Sequence, residues 1–147
     1  MDFLELIDHI TRLMEPDARA AGVEIQQKLA PFPGKIHMDF SQMTQVLLNL
    51  VLNAMHSLEP GGIIQIGAEP DEDGTFFSLW VEDDGPGIAC EKIGVIFDPF
   101  YTTREKGTGL GLAIVQKIVE AHDGKIRVES PPGGKTTGCR LTAEIPI

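Results

Sequence analysis

Cysteine is nearly missing from this sequence: Cys90 and Cys139 are the only two, with no CxxC pair and no metal-ligand spacing. That composition reads as free thiols in a reducing compartment. Positive charge is also short. Twelve Lys and Arg face 22 Asp and Glu, for a formal net charge of −10, and the pI is near 4.7. Such a balance argues against non-specific binding to nucleic acid or to an anionic membrane. An acidic protein that binds a polyanion must use local donors, with help from a metal ion. No apolar run reaches membrane-spanning length, and the N-terminus lacks a basic-then-apolar signal pattern, so a soluble cytoplasmic piece is expected. Internal repeats, low-complexity tracts and interdomain linkers are missing. So are a P-loop GK[ST] and a strand followed by GxGxxG, which removes the dehydrogenase reading of the glycines. What remains is 147 residues at 42% hydrophobic content, enough for one sizeable core and one domain over residues 1–147. The Met1-Asp2 start suits an excised domain.

Taken in order, Phe3-Leu4, Leu6-Ile7, Ile10, Leu13-Met14 and Ala18 recur at helical spacing and predict a helix from about 3 to 21, ended by Gly22. Val23 to Gln26 alternates like a strand, and Lys35 to Met38 reads as a second short one after the Pro31/Pro33/Gly34 loop. Asp39 is placed to cap a helix from Phe40 to about Leu58, with Gln42 set for the return bond of a capping box. Asn49 and Asn53, four apart, fall on one face of that helix. Ile63–Ala68 and Thr75–Glu82 predict a hairpin turning at Asp71–Gly74. Asp83-Asp84-Gly85-Pro86-Gly87 makes a tight loop, and a short helix is expected between Ile88 and Phe97. A last helix, Leu110 to Ala121, precedes strands at Lys125–Glu129 and Cys139–Ile145. Three long helices with paired strands give an α+β sandwich: helices on one face of a mixed, mostly antiparallel sheet.

One stretch organises the rest. Phe97 to Leu112, FDPFYTTREKGTGLGL, joins an aromatic anchor (Phe97, Phe100, Tyr101) through a polar run to glycines directly before a helix. Glycines let backbone N–H groups approach an anion, and a helix start presents unpaired donors and the positive end of its dipole. The stretch reads as a flexible lid over phosphates, with Arg104 and Lys106 as its cations.

Four motifs in order, Asn49-xxx-Asn53, Asp83-x-Gly85-x-Gly87, Phe97-x-Pro99-Phe100 and Gly107-Thr108-Gly109-Leu110-Gly111-Leu112, resemble the catalytic ATP-binding domain of sensor histidine kinases. QVLLNLVLNA looks like its N box, while DDGPGI and GTGLGL look like its two glycine boxes. The run from Phe97 to Ile126 is similar to the nitrogen-regulatory type. The resemblance extends from the Asp39 region to Pro146 and implies the Bergerat-type nucleotide fold shared with gyrase, MutL and certain ATP-dependent chaperones.

The resemblance implies roles that side-chain chemistry can be asked to justify. Asp83 would accept a hydrogen bond from the adenine amino group; an ionised carboxylate is acceptor-only and rejects the guanine carbonyl at that position. Its alternative is a solvated turn aspartate. Gly85 and Gly87 would let the chain pass the base, and Ile88 would pack on it. Asn53 would ligate Mg²⁺, a neutral amide suiting a cation held mainly by phosphates. Asn49 would touch the phosphate–magnesium assembly. Hydrolysing relatives carry Glu there to activate water. An amide cannot take that proton, which favours phosphoryl transfer over hydrolysis. Arg104, Lys106 and the 107–112 segment would hold the phosphates. Thr102 and Thr103 would bind phosphate or hold the lid, and His56 would be a basic neighbour of the phosphates. Lys92 is a weaker candidate.

Two departures stand out. Where the family commonly has Gly-Thr leading into the last strand, this sequence has Gly138-Cys139, and a thiol is a poor donor. None of His9, His37, His56 and His122 stands in a phospho-acceptor motif. The expectation is therefore a histidine kinase catalytic domain using ATP and Mg²⁺, monomeric in isolation. It would pass the γ-phosphoryl to a histidine on a separate dimerisation domain, for relay to a response regulator receiver domain, and would autophosphorylate poorly alone. An ATPase, a serine kinase of the anti-sigma type and a non-enzymatic nucleotide-sensing module are the alternatives.

Overall fold

The computed structural model describes residues 3–29, 39–58, 60–71, 74–85, 111–129 and 138–146. Its elements run α1 (Phe3–Ala21), β1 (Glu24–Leu29), α2 (Phe40–Ser57), β2 (Ile63–Pro70), β3 (Phe76–Asp83), α3 (Gly111–Ala121), β4 (Lys125–Glu129) and β5 (Cys139–Pro146). Every described helix and strand that the spacing predicts is present. The strand expected at 35–38 and the helix expected within 88–97 lie outside the described residues.

Helix α1 buries Leu6, Ile7, Ile10, Met14 and Ala18, the stripe that its apolar periodicity predicts. It runs unbroken through Pro16, which sits on the exposed side. There the carbonyl that loses its helical donor stays open to water. Val23 N–H donates to Ala18 O at 2.9 Å and Gly22 N–H to Arg19 O at 3.2 Å, a Schellman closure. Gly61 N–H then donates to Gly22 O at 2.8 Å and Glu24 N–H to Gly62 O at 3.0 Å, tying the end of α1 to the turn that launches β2. The start of α2 is held by Asp39, whose carboxylate accepts from Gln42 N–H at 3.1 Å.

The five strands lie in the order β1-β2-β3-β5-β4. β1 and β2 are parallel, with α2 as their crossover, and the other pairings are antiparallel. Asp71 closes the β2–β3 hairpin by accepting from the N–H groups of Thr75 and Phe76 and from the Thr75 hydroxyl. β5 does not simply follow β4 at an edge; it inserts between β3 and β4.

Alternation sorts the strand residues onto two faces. Ile64, Ile66, Ala68, Phe77, Leu79, Val81, Leu141, Ala143 and Ile145 form one buried cluster with the apolar stripes of all three helices. The opposite face carries Gln65, Glu82, Arg140, Thr142, Arg127 and Glu144, with Arg127 ion-paired to Glu144. Three helices therefore cover one side of a mixed sheet, and α2 lies centrally, touching α1, α3, β2 and β3.

Candidate functional site

Helix α2 contributes the first part of the site. Its buried side is Met43, Val46, Leu47, Leu50, Val51 and Ala54. Asn49 and Asn53 lie one turn apart beside that stripe, both half-buried, and His56 is exposed in the last turn. Asn49 reaches the beginning of α3: a Cβ built at Gly111 would lie 3.6 Å from Asn49 Oδ1. The Asn49 Nδ2 is buried and has no hydrogen-bond partner among the described residues. A buried amide donor without a partner costs roughly 1–3 kcal/mol, so its retention beside a helix start points to a polar group that completes it. Gly111 and Leu112 open α3, and α2 packs against α3, so the helix that carries Asn49 and Asn53 meets the one that Gly111 and Leu112 begin.

The second part is the end of β3. Asp83 is its last residue, on the helix-facing side, and only 7% exposed. Its Oδ1 accepts from Gly85 N–H at 2.9 Å. Burial pushes its carboxyl up to about 6, Asp84 and Glu82 adding to the rise and the Gly85 N–H opposing it. Asp84, its neighbour, does something different: its Oδ1 accepts from Ile63 N–H at 2.9 Å and fastens the open end of the β2–β3 hairpin. Across the β3–β5 ladder Asp83 pairs with Cys139. Burial raises that thiol to about 12, with Asp83 and then Glu82 as further causes, so Cys139 stays protonated near neutrality and is a weak donor at most. Gly138 permits the close approach. Its φ is +103°, and a Cβ there would meet Asp83 O at 2.5 Å.

Of the sequence-predicted residues, the structure thus brings Asn49 against Gly111, sets Asn53 and His56 on the same helix, and places Asp83 at the end of the strand that α2 packs against, with Gly85 just beyond it. Gly87, Ile88, Lys92, Thr102, Thr103, Arg104, Lys106, Gly107, Thr108, Gly109 and Leu110 lie outside the described residues. One participant escaped the sequence reading: the fastening role of Asp84 has no sequence signal. Cys139 stands out in the sequence as a departure, but its place opposite Asp83 appears only once β5 is known to adjoin β3. Among the described residues no three His, Cys, Asp or Glu side chains gather in a way that would hold a metal ion.

Comparison with known proteins gives this arrangement its class. A family model described as histidine kinase-, DNA gyrase B-, and HSP90-like ATPase matches residues 38–147. Sensor histidine kinase ZraS of Escherichia coli strain K12 is 39% identical over 147 residues, all of this chain and 30% of that protein. The nucleotide-free catalytic domain of histidine kinase ThkA superposes with a TM-score of 0.87 at 34% identity, over 99% of this chain and 93% of that one. ThkA solved in complex with response regulator protein TrrA gives a TM-score of 0.82 at 32% identity, over 99% of this chain and 40% of that one. The chain belongs to the family of histidine kinase-, DNA gyrase B- and HSP90-like ATPases. Its likeness within that family is to the catalytic domains of sensor histidine kinases, over the whole of the five-stranded sheet and its three helices. It spans about 30% of the length of the curated sensor kinases it matches.

Proposed function

We propose that this chain is one catalytic domain that binds ATP with Mg²⁺. It would transfer the γ-phosphoryl group to a histidine on a dimerisation domain lying outside this sequence, for relay to a response regulator. The observation that carries the reading is Asn49: a buried amide, partnerless at Nδ2 among the described residues, facing the start of α3. Amide groups at Asn49 and Asn53 fit a hard cation held chiefly by phosphate oxygens, since amide carbonyls are neutral oxygen donors and no carboxylate cage competes among the described residues. Bound there, Mg²⁺ would neutralise charge across the triphosphate.

The chain's own groups supply position and polarity. Asn53 would offer its carbonyl oxygen to the metal, and Asn49 Nδ2 would donate toward phosphate oxygen. Gly111 and Leu112 open α3 and present backbone N–H groups at a helix start, and the glycines at 107 and 109 would add theirs. Arg104 and Lys106, with Thr102 and Thr103, would close over the phosphates, and His56 adds a nearby base. At the other end Asp83, ionised, would accept from the adenine amino group, and Gly85, Gly87 and Ile88 would border the base. Nothing at Asn49 can take a proton from water, so catalysis is positioning and charge neutralisation for an incoming imidazole. The pairing of ThkA with TrrA supports a receiver domain as the eventual partner. No described helix is long and apolar enough to cross a membrane, and a cytoplasmic setting follows from the chemistry of ATP use.

The test mixes this chain with a histidine-bearing dimerisation domain and radiolabelled ATP. Label should appear on the acceptor histidine, weakly or not at all on this chain alone. ATP that binds without any transfer would count against the kinase reading. Sedimentation of the isolated chain should show a monomer.

A further inference from the structure

Strand β3 is held on both sides up to its last pair. Glu82, on the face turned away from the helices and only 3% exposed, accepts from Arg140 Nε at 2.8 Å across the β3–β5 ladder. The Arg140 guanidinium sits 4.0 Å from the centre of the Trp80 ring. That ring fills the space over Gly67, where a Cβ would come within 2.1 Å of it. On the β2 side, Ile64 opposite Asp83 is the last pair in register. One residue further, Ile63 N–H donates to Asp84 Oδ1 at 2.9 Å. A ladder continued by one residue would set the main chain of residue 84 against Ile63. Asp84 puts its side chain there instead, which satisfies the donor and frees the backbone to turn.

The two consecutive aspartates then do different things. Asp84 is exposed and anchored to β2, whereas Asp83 is buried on the side of the helices. Asp83 Oδ1 accepts from Gly85 N–H at 2.9 Å, an Asx turn that fixes the direction of the carboxylate. Gly85 aims Asp83, and the residue that joins them is the anchored one. β5 backs the same peptide: a Cβ at Gly138 would lie 2.5 Å from Asp83 O and 3.6 Å from Asp84 Cα. The anchor point is also tied down. Gly61 N–H donates to Gly22 O at the end of α1, and Gly62 O accepts from Glu24 N–H at the start of β1. Gly62 lies against Leu58 at the end of α2, where a Cβ would come within 2.9 Å of that side chain.

We propose that Asp84 is a positioning residue for purine recognition: its bond to Ile63 holds Gly85 where the Gly85 N–H orients the Asp83 carboxylate toward the base. The proposal rests on Asp83 meeting the purine. A carboxylate rejects the guanine carbonyl only while it is unable to swing aside, so the anchor serves selectivity as well as affinity.

Equilibrium titration of the whole chain with Mg-ATP and Mg-GTP near neutral pH, with urea melts alongside, tests this. Asp84→Ala should weaken ATP binding by about 3- to 10-fold, the worth of one net hydrogen bond. GTP, which gains nothing from the oriented acceptor, should change less, so the preference for ATP narrows. Asp84→Asn keeps an oxygen for Ile63 N–H but loses the charge, and should stay within about 2-fold of the wild type. Added to Asp83→Asn, the Ala substitution should cost little more, because it acts through Asp83. An Ala variant that unfolds or that loses ATP and GTP equally shows a structural role and overturns the proposal. An Asn variant as weak as the Ala variant shows an effect of charge, and full additivity with Asp83→Asn shows independence; either overturns it too. Asp83→Asn separates the two levels. If it leaves ATP affinity unchanged, the assignment of Asp83 itself fails. If it weakens ATP while Asp84→Ala does not, the role of Asp84 alone fails.

Discussion

Asp83 and Cys139 stand directly opposite each other in the β3–β5 ladder, both buried on the side of the sheet that faces the helices. A carboxyl and a thiol that both resist ionisation therefore face each other at the end of β3. Threonine at 139 would put a hydroxyl, a better donor and acceptor, at nearly the same volume. Cys139→Thr should tighten binding of an ATP analogue by about 3- to 10-fold, the worth of one net hydrogen bond. Isothermal titration would show it, and weaker binding in a normally folded variant would count against Asp83 and residue 139 sharing the base.

Asp83→Asn should separate stability from binding. Folded Asp83 holds its proton up to about pH 6, against an ordinary value of 3.8, so the folded state binds that proton more tightly than the unfolded chain. Its contribution is fully present below pH 3.8 and is lost as pH rises through about 6. Above that, the buried charge weakens the nucleotide-free fold by up to about 3 kcal/mol. Asparagine carries no such charge. Urea melts at pH 7.5 should find the variant as stable as the wild type or more so, while ATP affinity drops by roughly 10- to 100-fold. Equal losses in both would show a merely structural aspartate.

Much of this was legible beforehand, and the reason is locality. The stripes of α1 and α2, the Asp39 cap and the β2–β3 hairpin are all set by residues within a few positions of one another, and all stand where the spacing puts them. β1 was harder. Its alternation suggested Val23–Gln26, whereas parallel pairing with β2 carries it from Glu24 to Leu29. The insertion of β5 between β3 and β4 has no local signature, so neither the contact of Cys139 with Asp83 nor the Glu82–Arg140–Trp80 cluster could be read from the chain. Asn49 and Asn53 were legible as a pair on one face; that Asn49 meets Gly111 was not.

Replacing Asn49 by glutamate should change which nucleophile is served. A carboxylate facing the start of α3 can accept a proton from water, as an amide cannot. Asn49→Glu should raise phosphate release from ATP by about 10-fold or more and lower transfer to an acceptor histidine. A phosphate-release assay with purified protein decides it, and unchanged hydrolysis with ATP still bound would remove Asn49 from the vicinity of the γ-phosphate.

Gly138→Ala should be costly for reasons of backbone alone. The added methyl would need a left-handed φ of +103° and would lie 2.5 Å from Asp83 O. A loss of roughly 2 kcal/mol or more is expected in urea melts. Because the strain falls on the strand end that carries Asp83, affinity for ATP should fall with it. A variant of wild-type stability would mean that the β3–β5 ends separate easily.

Trp80 is the sole tryptophan of the sequence. Wedged between Gly67 and the Arg140 guanidinium, its indole gives the protein a built-in chromophore on the face of the sheet opposite Asp83. Its emission should therefore follow the joint between two strands, so that loosening of this ladder can be watched optically in the same cuvette in which ligand is being added.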